Sequence, residues 1–143
     1  MEIRTIEHGS PEYDRMIALR MDLLCRPLGL SFTAEQLEKE KQDWLIAAFE
    51  DEAMTGCCVL THFDDTTLQL RQMAVRQDIQ HSGTGRRILS FAEQTARENG
   101  YTTLMMHARD VATGFYEKCG YHIAGEPFTE VTILHYCMEK KLV

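Results

Sequence analysis

Leu68-Gln69-Leu70-Arg71-Gln72-Met73-Ala74-Val75-Arg76 leads after three residues into Gln80-His81-Ser82-Gly83-Thr84-Gly85-Arg86, and this stretch decides the fold. The first part reads as a strand, yet its apolar residues change parity: Leu68 and Leu70 are even, Met73 and Val75 odd. A strand of period two cannot do that without an extra residue, which predicts a β-bulge near Arg71-Gln72. Bulges splay a strand from its neighbour and often lie beside binding sites. The plainer alternative is a regular strand with Leu68 and Leu70 half-exposed.

The second part is a glycine-containing loop that opens an amphipathic helix. Ile88, Ala92 and Ala96 recur on one face, Leu89 and Phe91 flank them, and Gly100 ends the helix. Strand, glycine loop and helix N-terminus together make an anion site, because unpaired N–H groups and the helix dipole both favour negative charge there. Gly83 and Gly85 let the backbone curl around a phosphate. The loop lacks the Gly-Lys-Ser/Thr of a P-loop, and Ile88 stands where the dinucleotide fingerprint needs its third glycine. A plain turn is the structural alternative.

Upstream, Met1 to Ile6 reads as a strand. Ser10-Pro11-Glu12 starts a helix that carries Tyr13, Met16, Ile17, Leu23 and Leu24 toward Pro27. Thr33-Ala34-Glu35-Gln36 is a capping box for a second, charged helix, with Phe32 and Leu37 spaced as a staple. Trp44 to Phe49 is nearly all apolar, which predicts a strand buried on both faces. Met54 to Phe63 and Thr66 to Arg76 complete an antiparallel meander with turns at Asp51-Glu52 and Asp64-Asp65.

Downstream, Thr102 to Ala108 is a strand. Asp110 is placed to cap a short helix with Val111, Phe115 and Cys119 on its apolar side, stopped by Gly120. Tyr121 to Gly125 and Val131 to Glu139 read as two further strands. The prediction is one α/β domain over residues 1–143, with a mixed, mostly antiparallel sheet, a splayed bulged strand and about four flanking helices.

Composition narrows the function classes. The 143 residues carry a net charge of −7, which disfavours nucleic acid but not an anion held by backbone amides and Arg86-Arg87. The apolar runs are all too short to span a bilayer, and Met1 to Ile6 lacks the apolar core of a signal peptide. Five cysteines without a Cys-x-x-Cys pair read as reduced thiols of a cytoplasmic protein. His62 and His107 show no metal-ligand spacing, so no metal is expected.

Met73-Ala74-Val75-Arg76, then Gln80-x-x-Gly83-x-Gly85-Arg86, and later Phe115-Tyr116-x-x-x-Gly120-Tyr121 resemble the two motifs of the GNAT N-acetyltransferase superfamily, in the same order. Pro127-Phe128-x-Glu130-Val131-x-Ile133-x-His135 is similar to a subgroup of small bacterial-type members. The resemblance implies acetyl-coenzyme A (acetyl-CoA) as cosubstrate and a primary amine, on a small molecule or a peptide, as acceptor. It implies that Met73 and Val75, flanking Ala74, offer backbone groups to the pantetheine arm. It places the pyrophosphate on the amides of Gln80, His81, Ser82, Gly83, Thr84, Gly85 and Arg86. Tyr116 matches the acid that protonates the leaving thiolate, with a core tyrosine as the structural alternative. An Asn frequent in the family before this helix is replaced here by the run His107-Ala108-Arg109-Asp110. No base is legible, and Glu130 and His135 are the candidates, near an acceptor cleft also flanked by Arg26 to Phe32. A homodimer is left open, as is a non-catalytic acyl-CoA-binding module on the same fold.

Overall fold

The computed structural model describes residues 1–80 and 82–142. The chain runs β1 (Glu2–Ile6), α1 (Pro11–Arg20), α2 (Ala34–Lys39), β2 (Trp44–Glu50), β3 (Ala53–His62), β4 (Thr67–Val75) and α3 (Thr84–Glu98). It continues through β5 (Thr103–Arg109), α4 (Thr113–Lys118), β6 (His122–Ile123), β7 (Phe128–Glu130) and β8 (Ile133–Lys141). The sheet order is β1-β2-β3-β4-β5-β8-β6, with β7 also paired to β8, and among the described residues only β4–β5 is parallel. This is the mixed, mostly antiparallel architecture expected, with four α-helices among the described residues.

Two cores lie on opposite faces of the sheet. Helices α3 and α4 pack with Leu68, Leu70, Leu104, Met106 and Met138 on one face. Helix α1 packs with Leu45, Ala47, Cys57, Val59 and Ala74 on the other. Cys57 and Cys58 divide between the two cores, as strand alternation requires. Ile88 and Leu89 of α3 are fully enclosed, each worth about 1.5–3 kcal/mol in apolar burial.

The bulge lies where the parity change puts it. Cys57 pairs with Ala74 and Val59 with Arg71, so two steps on β3 face three on β4. The extra residue is Gln72, whose φ is 55°. Before the bulge β4 pairs with β5 from Thr67↔Thr103 to Leu70↔Met106, and there the pairing stops. β5 continues alongside β8 as far as Arg109↔His135. A wedge therefore opens between Met73–Val75 and His107–Arg109.

The caps of α1 and α2 form as read. Ser10 Oγ accepts from the Tyr13 amide at 3.2 Å, and Thr33 and Gln36 close their box at 2.9 and 3.1 Å. Beyond Arg20 the first helix widens into a π turn (Met21–Cys25) and tightens into a 3-10 turn (Arg26–Leu28), so its α-helical part ends well before Pro27. The C-terminal strands also differ from expectation. Val131 and Thr132 are not strand but the two-residue turn joining β7 to β8, with φ of 51° and 62°. Such hairpin turns usually carry Asn-Gly, and two β-branched residues conceal one. Asp110 does not cap α4 either. It begins a 3-10 turn (Asp110–Ala112), and α4 has no side-chain cap. That turn rotates the helix, leaving Val111 83% and Phe115 37% exposed while Tyr116 faces the core.

The first two helices are joined by a buried ion pair. Arg20 donates two hydrogen bonds of 2.8 Å to the Glu40 carboxylate, both residues being almost wholly buried. Tyr13 Oη also donates to Glu40 at 2.6 Å, and the Arg20 guanidinium lies 4.4 Å from the Phe32 ring centre. Burial pushes the Glu40 carboxyl upward, but Arg20 and Tyr13 outweigh it and hold it below the ordinary glutamate range. The stabilisation is therefore complete at neutral pH and is lost as pH falls through that depressed value. Arg20→Met, which strands the Glu40 charge, should cost about 3–5 kcal/mol in urea unfolding. Arg20→Met combined with Glu40→Met should recover most of that loss; a double variant as unstable as the single one would refute the stranded-charge explanation.

Candidate functional site

The wedge exposes backbone. The Arg76 amide donates to Thr55 O at 2.9 Å, so residues 74 and 76 turn their hydrogen-bonding groups toward β3. Met73 and Val75 must then point theirs into the wedge. Gln80 Nε2 donates to Val75 O at 3.1 Å, which ties the loop to the free edge of β4. Ala74 is placed differently: its side chain is buried in the α1 core and its backbone is engaged with β3. It sets the spacing of its neighbours rather than facing the wedge.

The loop delivers a helix start that no described side chain caps. Gly83 is the N-cap of α3, with φ of 92° and no atom within 4 Å of where a Cβ would be. Among the described residues the 15-residue helix has no side-chain cap, and it has no acid in its first turn, so the Thr84, Gly85 and Arg86 amides are paired by neither. Gly85 has a separate reason to lack a side chain. A Cβ there would lie 3.3 Å from the Phe115 ring and 3.7 Å from Val75. Ser82 and Thr84 join hydroxyls at 3.0 Å, and Thr84 is buried, which fixes the loop against the helix. His81 lies outside the described residues. Beside the helix start is a hollow of about 440 Å³ lined in part by Thr55, Arg76, Ser82 and Thr84. A hollow of about 890 Å³ lies elsewhere, around Arg4, Arg15 and Phe49, and contains none of the candidate residues.

Tyr116 stands on the α3/α4 face. It is 7% exposed, between Phe115 at 5.1 Å and Tyr121 at 6.0 Å, ring centre to ring centre. Burial, then the nearby Cys58 and Cys119, push its hydroxyl well above the ordinary phenol range. It is therefore neutral and carries its proton. No described residue hydrogen-bonds that hydroxyl, and it is not among the atoms sealed from solvent without a partner. Behind it, Tyr121 Oη donates to Glu93 at 2.7 Å, and Lys140 Nζ bridges Glu93 at 3.2 Å and Cys119 O at 3.0 Å. These contacts pin the end of α4 to α3 and β8.

Glu130 and His135 do meet, across the hairpin that the sequence concealed. Glu130 ends β7, and its Oε2 is 4.0 Å from His135 Nε2. His135 is buried, and its Nδ1 donates to Ile133 O at 2.7 Å, an acceptor-only oxygen, so that nitrogen carries a proton. Sequence reasoning missed the third member. His107 Nδ1 is 3.5 Å from the same Glu130 oxygen, and the Phe128 ring packs against both imidazoles at 5.0 and 5.9 Å. Alternation along β5 was the available signal, because it puts His107 on the face opposite Met106 and Ala108. The cluster thus lies across the sheet from Tyr116. The cysteines are free, and burial pushes the Cys57 thiol up to about 12, so it is no nucleophile. Among the described residues no group of side chains is arranged to hold a metal.

A family model for the acetyltransferase (GNAT) domain matches residues 30–142. The Bacillus subtilis protein YyaT is 33% identical over 76 residues, which are 53% of this chain and 51% of that protein. The chain thus spans about half the length of that relative. Among solved structures, an aminoglycoside 6'-N-acetyltransferase complexed with coenzyme A superposes with a TM-score of 0.83 at 17% identity, covering 100% of this chain and 98% of that one. A GNAT family acetyltransferase from Elizabethkingia anophelis with acetyl-CoA bound gives 0.74 at 21% identity, covering 98% and 97%. At these identities the likeness concerns the fold.

The loop geometry generates a direct test. Gly83→Asp should fold, since the new side chain meets open space and the left-handed backbone costs about 1–2 kcal/mol. Acetyl-CoA at a hundredfold excess over its Kd should stabilise the native chain by about 2.7 kcal/mol and leave the variant unmoved. Equal thermal shifts in both proteins would remove the anion from this helix start.

Proposed function

Because the chain belongs to the GNAT acetyltransferase family, we propose that it transfers the acetyl group of acetyl-CoA to a primary amine by direct attack in a ternary complex. The observation that carries this reading is Tyr116: a nearly buried, neutral phenol that no described residue hydrogen-bonds, beside a wedge fed by a helix start that no described side chain caps. The α3 amides suit the pyrophosphate, with Gln80 and Arg86 at the two ends of the loop. Met73 and Val75 suit the amide groups of the pantetheine arm, which would thread the wedge and present its thioester at the bulge.

The two faces then divide the chemistry. The sulfur leaves on the side of Tyr116, whose hydroxyl can hydrogen-bond it and supply a proton. The amine arrives on the side of Glu130 and His135, where a carboxylate attracts its ammonium and an imidazole can take its proton. Solved relatives of this fold include aminoglycoside acetyltransferases, which supports a small-molecule amine as acceptor. A non-catalytic acyl-CoA-binding module would leave Tyr116 without a task, so the enzyme reading is preferred.

Free coenzyme A thiol, measured with a chromogenic disulfide across a panel of amines, tests this reading. Release that depends on one class of amine is expected, and binding without release under every amine would favour the module. Tyr116→Phe should keep the acetyl-CoA thermal shift while turnover falls about a hundredfold or more. Unchanged turnover would return Tyr116 to a packing role.

A further inference from the structure

Resting on the acetyltransfer reading, we infer that His107 is the base that accepts the amine proton, with Glu130 as the residue that orients it. Its position in the sheet is the first reason. The last β4–β5 pair is Leu70↔Met106, so His107 is the first residue of β5 past the point where the wedge opens. Its side chain stands on the face opposite Met106 and Ala108, which belong to the α3/α4 core together with Tyr116. A thioester in the wedge would thus have Tyr116 on one side and His107 on the other, which separates the acid at the sulfur from the base at the amine.

The second reason is accessibility. The His107 side chain is 35% exposed, whereas that of His135 is 10% exposed and its Nδ1 is bound to Ile133 O. An acceptor can reach the first ring more readily than the second. The third reason is orientation. Glu130 Oε2 lies 3.5 Å from His107 Nδ1, and the Phe128 ring holds the imidazole edge-on at 76°. A carboxylate at Nδ1 favours the tautomer with its proton there, which leaves the Nε2 lone pair for the substrate and compensates the imidazolium that forms. Other charged or titratable groups on this face are His135, Cys137, Glu139 and Lys141 of β8, Arg109 of β5 and Arg71 of β4; Arg71 is 4.0 Å from Asp43, and His122 of β6 is 3.6 Å from Glu139.

The proton balance is complete with these groups. His107 Nε2 takes one proton from the substrate ammonium. The neutral amine then forms the C–N bond to the acyl carbon, and the C–S bond breaks. Tyr116 protonates the departing sulfur and is reprotonated from solvent, in exchange for the proton lost by the nitrogen that becomes the amide. The proton on His107 passes to solvent, so one proton is released per acetyl group transferred.

Two measurements test this. In the unliganded protein, ¹⁵N NMR should find the His107 proton on Nδ1, and Glu130→Gln should mix the two tautomers; a proton on Nε2 in the native chain would overturn the assignment. With an accepted amine, His107→Gln should lose about a hundredfold or more in kcat/KM while keeping the acetyl-CoA thermal shift. His107→Ala should regain part of the loss when free imidazole is added, which a structural role would not permit. A His107→Gln protein as active as the native chain would refute this inference but leave acetyltransfer standing. A native chain inactive with every amine would instead refute acetyltransfer, and the tautomer would still judge the orientation.

Discussion

One extra residue in β4 controls the rest of the site. Side chains on a strand alternate with a strict period of two, so Gln72, at φ 55°, must shift every later residue of β4 to the opposite face. Without it, Met73 and Val75 would exchange faces with Ala74, and their backbone groups would turn toward β3. With it, β4 stays paired to β3 and leaves β5 after Leu70↔Met106. The wedge is the space that this departure creates. Its walls are backbone on one side and the end of β5 on the other, and α3 begins where the free edge of β4 stops.

The two sheet faces are held by different means. On the α3/α4 face the core is apolar, and Glu93 with Tyr121 and Lys140 closes the end of α4 behind Tyr116. On the other face, α1 and α2 are joined through Arg20, Glu40 and Tyr13, a polar assembly inside an otherwise apolar layer. Arg20 Nε has no partner there among the described residues, so the assembly is not fully satisfied. A buried pair of this kind contributes little over an apolar core but is costly to break. It also carries Phe32, which brings the segment between the first two helices to the same face as the histidine cluster.

Much of this was legible in the chain. The parity change from Leu70 to Met73 located the bulge, and the caps at Ser10 and Thr33 located two helices, because each is a local rule. Gly83 and Gly85 were legible as a pair, though for different reasons: one has a left-handed backbone, the other makes room for the Phe115 ring. What was hidden depends on tertiary contact or on unusual turn residues. Val131-Thr132 reads as strand because β-branched residues rarely occupy a turn with positive φ. Val111 and Phe115 looked like a core stripe, but the 3-10 turn before α4 changes the helical phase. Arg20 and Glu40 are 20 positions apart and nothing local links them. His107 was passed over because its strand position, not its neighbours in sequence, gives it Glu130 as a partner.

On this reading the β4 bulge leaves the Met73 and Val75 amides open to the cosubstrate. Amide hydrogen exchange, resolved by residue, with and without acetyl-CoA, tests it most directly. The account predicts fast exchange at Met73 and Val75 in the free protein and strong slowing on binding. Arg76, whose amide is bonded to Thr55, should be slow in both states. Slow exchange at Met73 and Val75 before acetyl-CoA is added, or no change at either after it binds, would contradict the account.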